Sequence, residues 1–360
     1  MPAVKRGGKG PVTIDDVAAS AGVSIKTVSR VLNHEPNVRE ATRARVRQAV
    51  EQLNYRPNPS ARSLAGNRAD IIGLAYDNPS DSYITNVLHG ALGACQEFDY
   101  SLLLNPCDYR DPCLPQQITQ LIENRRLAGL ILTPPVSDVA ELLRVLDQLE
   151  ITYVSIAPID RERPGLYVVM NDRAGARDMT LHLIELGHRR IGFVKGHPDH
   201  GASHHRFQGY CDALRQSGIA ITDELVVQGM FSFESGLECG ERLLCLTTRP
   251  TAVFASNDDM AAGILHLAHQ RGIRVPEELS IVGYDDTPLS RVVWPSLTTL
   301  RQPIQEMARA AVEQLVAILR PNHAGLKAHA PHETLRYELV VRQSACPPPA
   351  GARRPPRDDA

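Results

Sequence analysis

The chain has 360 residues, 43% of them hydrophobic and 22% charged, with a formal net charge of −2. Such a length allows two or three domains, and the absence of any apolar run near about 18 residues removes a transmembrane reading. The balanced total hides an asymmetry: residues 1–68 hold 12 Lys and Arg against 5 Asp and Glu, which leaves the remainder at −9. A basic front on an acidic body points to a polyanion partner for the front alone.

The opening MPAVKRGGKG reads as a flexible basic arm over residues 1–11, with no signal-peptide core. Seven cysteines without a CxxC pair point to reduced thiols rather than a disulfide framework. Next comes TIDDVAASAG, Thr13 to Gly22, and then SIKTVSRVLN, Ser24 to Asn33. Thr13 and Asp16 have the spacing of a capping box, so a helix starts near Ile14. Gly22 supplies the positive φ of a sharp turn, and Ser24 is a good N-cap for a second helix. Val17, Ala18, Ala21, Val23, Val28, Val31 and Leu32 make a shared core. Ile25, Lys26, Ser29 and Arg30 are left outside, short side chains with a cation at each end, suited to the major groove of DNA. By periodicity alone the pair could also be a plain amphipathic hairpin.

A second capping box at Asn37 and Glu40 predicts a third helix to about Asn54, with Val38, Thr42, Val46, Val50 and Leu53 inward. Arg39, Arg43 and Arg47 form a basic stripe beside them. Then comes YRPNPSARSLAG, Tyr55 to Gly66. Pro57 and Pro59 end the third helix, and Asn58 can cap a short new one closed by Gly66. That helix is too short to be stable alone. Its uncovered Leu64 suggests a wedge into the minor groove.

VTIDDVAASAGVSIKTVSRVLN followed by YRPNPSARSLAG resembles the headpiece and hinge of the LacI family of bacterial transcription regulators. The resemblance implies that Ile25, Lys26 and Arg30 face base edges, that Leu64 pries open a base step, and that Ala61 also lies in the minor groove. Thr13, Ser24, Thr27, Ser29 and Asn33 complete the candidate DNA-facing set. The divisions expected are a headpiece over 12–57, a hinge helix over 58–67 and a body over 68–344.

From Ile71 onward, apolar runs alternate with helical patterns. IIGLAY (71–76), SLLLN (101–105), LAGLILT (127–133) and YVSIA (153–157) read as buried parallel strands. A second series follows: YVVMN (167–171), RIGFVK (190–195), LVVQG (225–229), TAVFAS (251–256) and SIVGYD (280–285). Helices are expected at Thr85–Phe98, Gln116–Arg125, Arg173–Leu186, Asp258–Arg271 and from Ile304 to about Leu319, with a late strand near Thr334–Val341. The fold class is therefore an all-α helix-turn-helix headpiece plus an α/β body of two doubly wound lobes. The first lobe is expected at about 70–165 plus 300–328, and the second at about 166–299 plus 329–344. Residues 345–360, Pro-rich and polar, read as a disordered tail. They lack the leucine heptads that tetrameric members of the family carry there, so the resemblance implies a homodimer.

The family resemblance extends through IGLAYDN, ELGHRRIGFV, RFQGY, FASNDDMAAG, SIVGYDDTPLS and PSLTTLRQP. It implies a body similar to periplasmic sugar-binding proteins, with a small effector in the cleft where strand ends face each other. Arg206 sits at the family's ligand-gripping arginine, whose rigid fork holds hydroxyls or a carboxylate. Asn257, Phe231 and Gln302 match other ligand positions, and His200 stands at a usual contact offset from Arg206. Asp285 ends its strand and can accept bonds from two sugar hydroxyls. Asp77 and Tyr83 flank the first strand's end. Asp258 reads as a helix N-cap, with Asp259 and Asp286 as hydrogen-bonded structure. His197, His200, His204 and His205 fall close together, but their spacing matches no zinc pattern. No metal and no cofactor is expected.

Three function classes remain at this point. The first is a DNA-binding regulator, acting in the cytoplasm on pseudo-palindromic operator DNA under a sugar or, as the rival, a nucleobase. The second is a sugar-binding protein without DNA function, which the headpiece disfavours. The third is an α/β enzyme using paired aspartates, which no Gly-rich phosphate loop or nucleophile elbow supports.

Overall fold

The computed structural model describes residues 12–32, 38–55, 70–320 and 332–349. The chain divides into two units, residues 1–69 and 70–360.

In the first unit, helix α1 (Ile14–Ala21) begins at N-cap Thr13 with the capping box formed. Thr13 N and Oγ1 both donate to Asp16 Oδ2 at 2.8 Å. Gly22 closes the helix at φ 63°, the left-handed conformation that turns the chain into helix α2 (Ile25–Leu32). Ser24 Oγ accepts from Thr27 N at 3.2 Å, as expected of an N-cap. Helix α3 (Glu40–Gln52) starts later than its sequence suggests: Arg39 is the N-cap and makes no side-chain cap bond. Asn37, the expected cap, lies outside the described residues. Val17, Ala18, Ala21, Val28, Val31, Val46 and Ala49 form the buried core, with Val23, Leu32, Val38, Val50 and Leu53 against it.

The second unit holds two parallel sheets. The strands of the first are β1 (Ile71–Tyr76), β2 (Ser101–Pro106), β3 (Gly129–Leu132), β4 (Tyr153–Ile156), β5 (Leu166–Met170) and β11 (His332–Leu335), in the order β11-β5-β4-β3-β1-β2. The second comprises β6 (Ile191–Lys195), β7 (Val226–Gln228), β8 (Ala252–Ala255) and β9 (Ser280–Val282), in the order β7-β6-β8-β9. A short antiparallel pair, β10 (Thr299–Arg301) with β12 (Glu338–Val340), joins this lobe through bridges Val282–Thr298 and Asp285–Arg301. The helices are α4 (Asp81–Glu97), α5 (Leu114–Arg125), α6 (Ala140–Gln148), α7 (Asp172–Glu185), α8 (Gly201–Gln216), α9 (Phe233–Leu244), α10 (Asp258–Gln270), α11 (Leu289–Val292) and α12 (Ile304–Leu319). Parallel strands need crossovers, and these helices supply most of them.

Two lobe assignments differ from the sequence reading. β5 was expected to open the second lobe, yet it pairs with β4 and β11 in the first sheet. The β4–β5 connection is a loop rather than a helix, so helix-to-strand alternation misplaces the boundary. The late strand is in fact two strands, β11 in the first lobe and β12 in the second. The chain therefore passes between lobes after β5, after β10 and between β11 and β12. Asp172 follows the first passage and Gln302 lies on the second.

The tail reading is also corrected for residues 345–349. Cys346 is tied to the second lobe by Ser280, whose Oγ donates to its carbonyl and accepts from its N–H, both at 3.0 Å. His188 Nε2 lies 2.9 Å from the same carbonyl, and Pro348 is buried. Residues 350–360 lie outside the described part.

Candidate functional site

Helix α2 turns Val28 and Val31 inward and leaves Ile25 47% exposed. Lys26 and Arg30 are exposed beside it, with Ser29 and Thr27 half-buried. An uncovered isoleucine between cations is a poor surface in water and a suitable one against base edges and phosphates. Thr13 and Ser24 are exposed at the two helix starts. Asn33, Ala61 and Leu64 lie outside the described residues, as does the expected hinge helix.

In the second unit, Arg206, Phe231, Asn257, Asp285 and Gln302 come together. Arg206 comes from α8 and is 4% exposed. Its Nε donates to Asp172 Oδ1 at 3.0 Å, and Nη1 donates to the Ser256 carbonyl at 2.5 Å and lies 3.6 Å from Asp285 Oδ1. The guanidinium stacks over Tyr284 at 3.7 Å and lies 5.7 Å from the Phe231 ring centroid. Gln302 Nε2 donates to Asp285 Oδ1 at 2.6 Å. Asn257 donates to the Phe231 carbonyl at 2.8 Å and accepts from Met260 N at 3.0 Å. Asn257 is thus the N-cap of α10. Asp258, expected in that role, is the first helical residue and accepts from Thr287 and Thr299 instead. The amide at 257 bonds the helix start directly, which leaves the next side chain to turn inward.

Burial and charge set the protonation of the group. Burial works against the charge on Arg206, but Asp172, Tyr284 and Asp285 outweigh it and raise its pKa. Burial pushes Asp285 up to about 7, against the pull of Arg206 and Gln302. His200 is buried at the start of α8, its ring 5.5 Å from Phe231. Burial, with help from His197 and Arg206, brings it down to about 3, so it is neutral. Phe231, buried with φ 63°, lies between His200 and Arg206.

From the first lobe, Tyr83 is buried near the start of α4, and its pKa is raised by burial and then by Asp285 and Asp172. Asp77 is half-buried and accepts from Tyr109 N at 3.1 Å. A separate cavity of about 270 Å³ is lined by Ser137, Asp138, Leu143, Tyr153, Arg163 and Tyr167 among others, and by no candidate effector residue. Among the described residues no group of three or more His, Cys, Asp or Glu side chains is arranged to hold a metal.

Sequence reasoning missed Asp172 and Tyr284, which hold Arg206 by an ion pair and by stacking. Asp259, read from the sequence as hydrogen-bonded structure, accepts from Ser80 Oγ of the other lobe at 2.7 Å. The paired aspartates are not poised as acid and base. Asp286 is held by Arg301, Arg342 and Ser290, and Asp258 by threonines.

Two family models match: bacterial regulatory proteins of the lacI family over residues 13–58, and a periplasmic binding protein-like domain over residues 180–345. The HTH-type transcriptional regulator GalR of Escherichia coli (strain K12) is 37% identical over 309 residues, covering 85% of this chain and 89% of its own. The chain belongs to the LacI family. This LacI-family protein is a DNA-binding transcriptional regulator, and its relatives are regulators rather than enzymes. Its fold is similar to a lac repressor dimer bound to operator and the anti-inducer ONPF, with TM-score 0.77, 27% identity, and coverage of 94% and 100% of the two chains. It is also similar to the regulator CelR in complex with cellobiose, with TM-score 0.70, 30% identity, and coverage of 93% and 100%.

Proposed function

We propose that the protein represses a sugar-utilisation operon, as a cytoplasmic homodimer on a pseudo-palindromic operator, under the control of a neutral mono- or disaccharide. One observation carries the effector class. Arg206, Asp285 and Gln302 form one bonded group, Asn257 holds the Phe231 carbonyl, the Phe231 ring lies 5.7 Å from the Arg206 guanidinium, and the charge of Arg206 is already met by Asp172 with Asp285 beside it. Sugar hydroxyls both donate and accept, so they can enter such a set without adding net charge to it. An anionic effector would need a further cation. The cellobiose held by the similar CelR supports the same class. A nucleobase is the second reading, favoured by the His200–Phe231 aromatic pair, which offers flat surfaces to a heterocycle.

Calorimetry against galactose, cellobiose, other neutral sugars and the nucleobases tests the effector. Sugar binding that Arg206→Ala weakens at least about tenfold is expected, since charged hydrogen bonds contribute about 1.5–3 kcal/mol each. Binding confined to a nucleobase would defeat the sugar reading. For DNA, a dimer making about 6–10 phosphate contacts should lose about 10³–10⁵ in operator affinity between about 50 and 200 mM salt. A flat salt response would contradict the reading of the basic headpiece.

A further inference from the structure

The effector candidates leave unexplained a cluster that joins the two lobes at the surface. Tyr109 and Arg110 follow β2 in the first lobe, and Asp199 lies between β6 and α8 in the second. The Tyr109 hydroxyl donates to Asp199 Oδ2. Arg110 Nη2 donates to the same oxygen at 3.1 Å, and its Nε donates to the Tyr109 oxygen at 2.7 Å. The Arg110 guanidinium also lies over the Tyr109 ring, 5.1 Å from its centroid. Each side is anchored to its own lobe. Tyr109 N donates to Asp77, and Asp199 N donates to His197 Nδ1 at 3.2 Å.

Two other contacts span the cleft. Ser80 donates to Asp259, which also accepts from Asn257 at 3.3 Å. Ile159 packs on Gly201 so closely that a Cβ there would lie 2.5 Å from Ile159 Cγ1. These two contacts are shielded or apolar. The Tyr109–Arg110–Asp199 cluster differs in being charged and open to solvent, with side-chain exposures of 61% for Arg110 and 47% for Asp199. An exposed ion pair is screened by salt, whereas a shielded hydrogen bond is screened much less and an apolar contact has no charge to screen.

We propose that Tyr109, Arg110 and Asp199 form an external clasp that sets how much of the protein has its effector cleft closed. They are positioning residues, and they act on effector affinity through the closed population. This rests on the reading of the interlobe cleft as the effector site. If only the closed form grips the ligand, apparent affinity falls in proportion to the closed fraction. The clasp therefore makes the binding of even an uncharged effector depend on salt.

The test uses the full-length protein and the variants Asp199→Asn and Arg110→Gln, alone and together. Hydrogen exchange without ligand is read at the amides of Tyr83 and Met260, which bond Ser80 Oγ and Asn257 Oδ1 far from the clasp in sequence. A clasp controlling closure predicts about two- to fivefold faster exchange at both amides, the scale of losing an exposed charge pair. Raising salt from about 50 to about 500 mM should do the same in the unaltered protein and nothing further in the double variant. With galactose and cellobiose as probes, dissociation constants should weaken by the same factor. Glu141→Gln breaks the surface pair with Arg144 and serves as a control that changes none of these. Unchanged exchange at Tyr83 and Met260, or a salt response that persists in the double variant, would overturn the clasp. Failure of every sugar and nucleobase to bind would sink the effector reading while the exchange results still decide the clasp.

Discussion

The two walls of the proposed effector cleft are built differently. The second-lobe wall is a closed set of mutual bonds: Arg206, Asp172, Asp285 and Asn257 are all buried, and each holds another residue of the wall. The first-lobe wall offers Tyr83 and half-buried Asp77, and the latter is engaged with a loop rather than with the cleft. A bonded, buried wall keeps its geometry whether or not a ligand is present. A wall made of a helix start and one loop side chain, with few bonds between them, can be brought up or withdrawn. On the proposed effector reading, the difference would give grip to the second lobe and closure to the first, the division a hinge-type binding protein needs.

The largest expected effect tests the grip. Arg206→Ala leaves Asp172 and Asp285 buried without their cation. Removing one partner of a buried pair typically costs about 3–5 kcal/mol. The low end applies here, because Asp285, already pushed up to about 7, can take a proton. Urea denaturation should show the loss at neutral pH, and no first-lobe substitution in the cleft should match it. An equal loss from Tyr83→Phe would erase the contrast between the walls.

How legible this was depends on distance along the chain. The capping box of Thr13 and Asp16 could be read directly, because its two residues are three apart and bond each other. Strand starts were legible for the same local reason, but β9 stops at Val282, three residues before Asp285, which the sequence reading takes as the strand's end. Asp172 was not legible as the main partner of Arg206. It lies 34 residues earlier, and only the passage from β5 into α7 brings it in. The membership of β5 was hidden because a loop there does what a helix does elsewhere. Ser80 and Asp259 are 179 residues apart, and nothing in either local pattern announces their bond.

The second prediction concerns protons. Burial raises Asp285 to about 7, while His200 is kept neutral by its own low value of about 3. Between pH 6 and 8 Asp285 is therefore the wall residue that changes charge. Its ionised form is the better acceptor for sugar hydroxyls. At pH 6 only about a tenth of it would be ionised, so sugar affinity should fall up to about tenfold from pH 8 to pH 6. The sign follows from competition: the proton and the ligand claim the same carboxylate. In Asp285→Asn the profile should be flat. A profile of the opposite slope, or one surviving the substitution, would remove Asp285 from the grip.

The smallest expected effect separates contact from closure within the first-lobe wall. Tyr83 is buried within reach of the charges of Asp285 and Asp172 in the proposed second-lobe wall. Tyr83→Phe removes one hydroxyl and keeps the ring, at a cost of about 0.5–1.5 kcal/mol in effector binding if a hydrogen bond to the ligand is lost. Stability should change little, since the packing is retained. Asp77→Ala removes instead the acceptor for Tyr109 N and loosens the loop that carries the clasp. Its effect on affinity should be of similar size, but it should act through the closed population. Titration with a neutral sugar at two salt concentrations tells the two apart. Tyr83→Phe should keep the salt response of the unaltered protein, because the clasp is intact. Asp77→Ala should blunt it, because a clasp on an unanchored loop holds less of the protein closed. If both variants kept the full salt response, Asp77 would have no part in closure, and the first-lobe wall would act by contact alone.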